Sequence, residues 1–336
     1  MEFAMTTVYL HVGMPKCASS TIQGYFHRYD NRNRGAGFVY PKAGRSTGGY
    51  FNHEPIVHLN PEEIASLVQE IKAEAEGAKT VFISAEAFVN AYWDQPVTGN
   101  VIDELNKTFG AENVRLLFLF RNHFSFIESA FAQFLKGGLY RVHHGKFFRK
   151  TDGKIEDYCK VFRKANGFDF FDYARVIEAF RGFCQPENQI EVLSIERGDL
   201  ETGDILNELC KKFDLAPPKD TAVKNARFPV KALLGLAYGI KQHGFRKIPP
   251  LRKGVADRFA DAPDGFSSML HIHGDFAETI AKRQRADAKY FKTKLGCDFP
   301  VMFTPKPVPQ VPEDPKDEIQ LTSEEMAWLD GYLSRP

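Results

Sequence analysis

The run Val114-Arg-Leu-Leu-Phe-Leu-Phe120 constrains the fold of this chain more than any other stretch of its 336 residues. It is too short for a core helix and does not alternate apolar with polar, so it reads as a strand covered on both faces. That is the pattern of a parallel sheet with helices on either side. Residues 7–12 and 80–84 read the same way, and 38–40 as a shorter strand. Between them lie segments of helical spacing at 19–29, 61–76, 97–109 and 124–136. The second opens on Asn60 as a cap with Pro61 at the first helical position. The last closes at Gly137-Gly138. Helices at 155–166 and 172–183, a strand at 189–195 and a helix at 199–213 continue the alternation, which predicts an α/β three-layer sandwich around a central parallel sheet.

Past Pro217 the strands disappear and the expectation is a helical C-terminal part. It comprises a helix near 230–243, a basic Pro/Gly loop at 244–254 and a helix near 275–295. Residues 300–315 carry six prolines and read as an extended tail, after which Thr322-x-x-Glu325 is a capping box for one last short helix. The domain expectation is therefore 6–299 as one domain and 300–336 as a tail. Met1-Glu-Phe-Ala4, ahead of Met5, reads as a cloning remnant.

Lys and Arg number 44 against 43 Asp and Glu, so no broad basic face is available for nucleic acid and any anion site must be local. No apolar run is long enough to span a membrane, and the N-terminus has no basic segment leading into a long apolar one. The expectation is a cytoplasmic protein without a transmembrane segment. The five cysteines form no CxxC pair and read as reduced thiols.

Chemistry first appears where the strand at 7–12 runs into the helix at 19–29. A helix N-terminus offers unpaired N–H groups and a positive dipole end, and a loop feeding it from a buried strand can hold a phosphate or sulfate. Gly13, Pro15 and Lys16 lie in that loop, and Ser19, Ser20 and Thr21 place three hydroxyls in the first turn. The same hydroxyls can simply cap the helix. The segment is not GxxxxGK[ST], because Lys16 stands three residues ahead of the Ser/Thr run and no Gly-Lys pair exists; this counts against ATP or GTP.

Gly13-Met-Pro-Lys16-Cys17-Ala18-Ser19-Ser20-Thr21 resembles the 5′-phosphosulfate loop of sulfotransferases that use 3′-phosphoadenosine-5′-phosphosulfate (PAPS), whose usual form is Pro-Lys-(Ser/Thr)-Gly-(Ser/Thr)-(Ser/Thr). Ala18 stands where that family usually has glycine; a helical φ tolerates its Cβ and a left-handed one costs energy. The family also grips the 3′-phosphate with an arginine at the end of an apolar strand, commonly followed by Asn, and a serine eight residues later. Arg121, Asn122 and Ser129 match that pattern. The resemblance is to bacterial, carbohydrate-type members and covers roughly residues 6–300. It implies a P-loop nucleotide-binding type of sheet and transfer of a sulfuryl group from PAPS to a hydroxyl of a carbohydrate or glycoconjugate. The product is adenosine 3′,5′-bisphosphate (PAP), and no metal is obligatory.

Under that resemblance Lys16 stabilises the departing phosphate, with Cys17, Ala18 and the serines around the 5′-phosphate. A base must take the acceptor proton, and two residues stand where family members place one: His53 after a glycine-rich loop, and Glu86 at the end of the strand 80–84. His53 is preferred because an unperturbed imidazole already titrates near neutral pH. The basic loop 136–154 contains Lys136, Arg141, Lys146, Arg149, Lys150 and Lys154 among Tyr140, Phe147 and Phe148, and reads either as an acceptor-binding lid or as a solvated connector. Arg252-Lys253-Gly254 echoes a third family element but reads better as a solvated loop. His143-His144 and His271-Ile-His273 carry little metal-binding expectation. A P-loop small-molecule kinase, or a nucleotide-binding protein without catalysis, remain the alternatives.

Overall fold

A computed structural model describes residues 5–33, 37–49, 51–93, 97–140, 142–218, 228–307 and 310–334. By compactness the chain divides into two units. The first comprises Met1–Arg121, Tyr173–Ala222 and Asp287–Met302, and the second Asn122–Asp172, Val223–Ala286 and Phe303–Pro336.

The first unit is the α/β sandwich that the apolar runs require. Its strands are β1 (Thr7–His11), β2 (Phe38–Val39), β3 (Thr80–Ser84), β4 (Val114–Phe120) and β5 (Gln189–Ser194). They form one all-parallel sheet in the order β2-β3-β1-β4-β5. Flanking helices are α1 (Ser19–Asn33), α2 (Pro61–Glu74) and α3 (Val97–Phe109). Asn60 caps α2 reciprocally with Glu63, as its sequence requires. Phe26 of α1, Phe38 and Phe82, all without exposure, gather with Phe213 at ring separations between 4.9 and 5.8 Å. Each such ring contributes on the order of 2–3 kcal/mol of burial.

Register sets the height of each strand's end. His11, the last residue of β1, pairs with Ser84, the last of β3, and with Leu117 of β4, which runs on to Phe120 beside Ser194 of β5. Arg121 therefore lies four residues beyond the level of His11, about 13 Å along the strand direction at about 3.3 Å per residue. The ends of β1 and β3 form a floor, and β4 with β5 a wall beside it. The order reverses at β1, where ligands collect in open parallel sheets.

The second unit holds α4 (His123–Gly137), α5 (His144–Lys150), α6 (Ile155–Asn166), α9 (Val230–His243), α10 (Ile248–Arg258) and α12 (Ser323–Leu333), after α7 (Tyr173–Arg181) and α8 (Ile205–Lys212) of the first; α11 (Gly274–Tyr290) crosses the division. Gly239 of α9 lets two helices approach: a Cβ there would stand 2.7 Å from Leu251 Cδ2 of α10 and 3.3 Å from Leu333 Cδ1 of α12. The terminal helix, set apart as a tail in the sequence, is thus packed within this unit. Its capping box Thr322/Glu325 is formed, and Lys231 of α9 reaches Glu325 at 2.6 Å.

Several expectations need correction. The basic stretch 136–154 contains α5, and Phe147 and Phe148 are 2% and 7% exposed, so these rings are core and cannot stack on a sugar. Arg141 of that stretch lies outside the described residues. The predicted loop 244–254 is a 3₁₀ turn, Phe245–Lys247, followed by α10, which absorbs Arg252-Lys253-Gly254. Pro249 and Pro250 sit in the first turn of α10, where the missing N–H has no intrahelical partner to lose. The helix predicted from 199 begins only at Ile205, capped by Asp204.

Candidate functional site

The site is built from four strand ends of the first unit. After β1 the backbone pairs once more with β4, Val12 N–H donating to Leu117 O at 3.0 Å. Gly13 then passes the connection leaving β3 so closely that a Cβ would stand 3.1 Å from Glu86 Cα. From there the chain turns through Met14 and Pro15 with Cys17 N–H on Met14 O. Lys16 and Ala18 both have φ of +66°.

Two left-handed residues flanking a third tip successive N–H groups toward one side, the concave arrangement that binds anions. Among the described residues the N–H groups of Lys16, Ala18, Ser19 and Ser20 find no backbone acceptor, while Thr21 and Ile22 donate to Ala18 O. The concavity continues into the N-terminus of α1, whose dipole adds positive potential. Each left-handed non-glycine residue costs about 1–2 kcal/mol. Ala18, the position where the resemblance expects glycine, thus has the conformation that glycine would favour. Lys16 and Thr21 are half-buried, Ser20 is exposed, and Ser19, Gly13, Pro15 and Cys17 are buried and shape the loop from beneath. Burial pushes the Cys17 thiol up, so it is no nucleophile.

Four charged side chains act on that thiol: Arg121, Glu86, Glu196 and Lys16. They therefore lie near the loop. Arg121 stands at the end of β4, its backbone carbonyl accepting from the Tyr173 hydroxyl at 2.7 Å and its Nε 4.0 Å from the Glu196 carboxylate. Glu86 follows β3 by two residues, as Glu196 follows β5. Burial raises the Glu86 carboxyl above the usual range, while the Lys16 ammonium and the Ser19 hydroxyl draw it back. A carboxyl held between these influences can accept a proton nearer neutral pH than a free glutamate.

His53 does not fit the role that its sequence position gave it. It is fully buried; Nε2 donates to Pro41 O at 3.1 Å and Nδ1 accepts from Ser84 N–H at 3.2 Å, so neither nitrogen is left for a substrate. Burial lowers its pKa to about 4. The imidazole instead ties residues 41 and 53 to the end of β3. Beneath it His11, also fully buried, shares the Ser84 hydroxyl with Gln23, at 2.8 and 3.0 Å, and its pKa falls to about 3.

Lys16, Ser19, Glu86 and Arg121 are thus brought together within the first unit, and Glu196 is the charged residue that sequence reasoning missed. A charged residue one or two positions past an apolar strand is the signal that finds all three of Glu86, Arg121 and Glu196. Ser129 is half-buried on α4, in the second unit. His144 is sandwiched between Phe134 and Phe245, with Nε2 donating to Phe134 O; His143 Nδ1 caps α5 through Lys146 N–H, and His271 Nδ1 accepts from Ser267 N–H. No helix among the described residues is long and apolar enough to cross a membrane. No family model matches the chain, and no curated protein or solved structure matches it.

Proposed function

We propose that the chain is a sulfotransferase that moves the sulfuryl group of PAPS to a hydroxyl of a carbohydrate or glycoconjugate, with PAP as the product. The observation that carries the reading is the convergence of Lys16, Arg121 and Glu86 on one anion-binding loop that ends a central parallel strand. An anion cradle, a guanidinium on the adjoining wall and a carboxyl with a raised pKa are the parts that such a transfer needs.

The 5′-phosphate sits on the N–H groups of residues 16–20, and Arg121 takes the 3′-phosphate. The resemblance adds Ser129 to that grip on its spacing from Arg121 in the sequence alone. The acceptor oxygen attacks sulfur in line while the bond from sulfur to the bridging oxygen breaks and its electron pair goes to the phosphate. Lys16 and the loop N–H groups stabilise that charge. Glu86, rather than His53, takes the acceptor's proton. No step calls for a metal.

Calorimetric titration with PAP, adenosine 5′-phosphate and ATP, with and without Mg²⁺, tests the donor. PAP is expected to bind at least about tenfold tighter than adenosine 5′-phosphate, a difference of about 1.4 kcal/mol, and Arg121→Ala to erase the difference. Preference for ATP with Mg²⁺ would identify a phosphotransferase instead. PAP binding without transfer to any acceptor would leave a nucleotide-binding protein.

A further inference from the structure

Beside the end of β3, residues 40–46 and 51–53 border a second site that the proposed donor does not use. His53 N–H donates to Ser84 O at 2.8 Å, and Glu54, the next residue, acts electrostatically on Glu86, so this segment borders the base. Within it Arg45 is half-buried and pairs with no carboxylate among the described residues; its Nη1 and the hydroxyl of neighbouring Ser46 are both buried without a hydrogen-bond partner.

The surroundings are aromatic. The Arg45 guanidinium lies 5.6 Å from the centre of the Tyr40 ring, and Phe51 stacks on His27 at 4.0 Å. Burial, and after it the Arg45 charge, makes His27 harder to protonate. Ser46 N–H donates to Asn52 O at 2.7 Å, and the Tyr40 hydroxyl to Phe51 O at 2.5 Å. A Cβ added at Gly48 or Gly49 would meet nothing within 4 Å, and Phe51 has a left-handed φ of +55°. Buried donors left unbonded are rare in folded proteins, and a guanidinium is the side chain best shaped to receive a carboxylate or sulfate.

We propose that Arg45 Nη1 and Ser46 Oγ receive an oxyanion carried by the acceptor, a uronate carboxylate or a sulfate ester, while Phe51, half-buried against His27, stands beside the sugar that bears it. This rests on the reading of the adjoining loop as a glycan sulfation site. It makes the acceptor an anionic glycan rather than a neutral one, held on the side of Glu86 away from Arg121.

The test is calorimetry of the full chain, saturated with PAP, against three hexasaccharides. One contains glucuronate, one is its carboxyl-reduced neutral counterpart, and one is the reduced form carrying a sulfate ester on each disaccharide. At least one anionic form is expected to bind about tenfold or more tighter than the neutral one, and which of the two does so identifies the oxyanion. Arg45→Gln is expected to bring the three within about twofold of each other, with Arg45→Lys intermediate and the melting temperature of each variant checked alongside. Equal binding of neutral and anionic forms, a preference that survives Arg45→Gln, or no hexasaccharide binding overturns the inference. PAP titrated alone keeps the two readings apart: a normal PAP isotherm with no anionic preference sinks only the acceptor subsite. Anionic preference with no PAP binding sinks only the donor.

Discussion

Gly13 and Glu86 are packed backbone against backbone: a Cβ at position 13 would stand 3.1 Å from Glu86 Cα, 3.3 Å from Ala85 O and 3.3 Å from Ser19 Oγ. The anion loop and the proposed base therefore hold a fixed spacing through the bare backbone of one glycine. Gly13→Ala has to push them apart by a few tenths of an ångström, since neither Glu86 Cα nor Ala85 O has anywhere to rotate. The expected result is a stability loss of about 1–3 kcal/mol, typical of overpacking, with kcat down about tenfold or more from the displaced geometry. Thermal unfolding and initial rates on the same sample check it, and an unaltered rate would show that the spacing is not used.

Ala18 is held at φ +66°. Glycine accepts that conformation without strain but brings a more flexible unfolded chain, worth about 0.4–1 kcal/mol against it, so the strain of about 1–2 kcal/mol is only partly recovered. Ala18→Gly is expected to stabilise the fold by up to about 1 kcal/mol with PAP affinity retained. Ala18→Val, with a branched Cβ in the same conformation, is expected to lose both stability and PAP binding. Urea unfolding of the pair decides it: a destabilised Ala18→Gly would mean that the loop is not strained there.

Lys16 and Arg121 are expected to separate in kinetics. In the proposed transfer Lys16 meets charge that develops as the phosphate leaves, so Lys16→Ala should lower kcat by about 10²–10³ while affinity for PAPS, where that charge has not yet developed, falls by less than about tenfold. In the same proposal Arg121 meets a charge present throughout, and Tyr173 and Glu196 hold it in place. Arg121→Ala should therefore weaken PAP and PAPS alike with a smaller effect on kcat. Single-turnover rates at saturating PAPS measure the first, and calorimetry the second. Equal losses in both columns for both variants would mean that the loop and the wall do not divide the work.

A base must be ionised to act. With the Glu86 pKa raised by burial, transfer should rise with pH through a point above the usual carboxylate range and level off beyond it. Glu86→Gln is expected to abolish transfer with PAP affinity retained. His53→Asn, in contrast, should retain the pH profile in whatever fraction folds. A profile that disappears in His53→Asn and persists in Glu86→Gln would reverse the assignment.

The parts of this fold legible in the sequence are those where the apolar pattern is unbroken. β3 and β4 begin and end where their runs do, and α3, α6 and α9 match their spacing residue for residue. α5 was hidden because only Phe147 and Phe148 among its seven residues carry an apolar signal, and its cap is His143, an unusual residue for that position. α10 was hidden behind Pro249, Pro250 and Gly254, which read as breakers although the prolines occupy its first turn. At the site, Lys16, Glu86 and Arg121 were visible as charges beside strand ends. The burial of His53 was not, because it depends on Pro41 O and Ser84 N–H arriving from distant segments. Arg45 was invisible for the same reason: a basic residue in a glycine-rich loop looks solvated until the chain covers it.

The two buried histidines under the loop make stability depend on pH in a direction that can be worked out. Folding lowers the pKa of His53 to about 4 and of His11 to about 3, from an ordinary value near 6.5. Below that ordinary value the unfolded chain therefore binds protons that the folded one refuses, so stability is full above about pH 6.5 and falls as pH drops toward the folded values. At about 1.4 kcal/mol per unit, each histidine accounts for a loss of about 2 kcal/mol between about pH 7 and pH 5. Glu86 works the other way: its raised pKa favours the folded state while protonated, an advantage lost as pH rises through that value. Urea unfolding at steps of pH should thus show stability rising from pH 5 to 7, with a shallower slope in His11→Asn and a steeper one in Glu86→Gln. A flat profile in the unsubstituted chain would mean that His11 and His53 accept protons without unfolding, and that the polar floor beneath the loop is open to water.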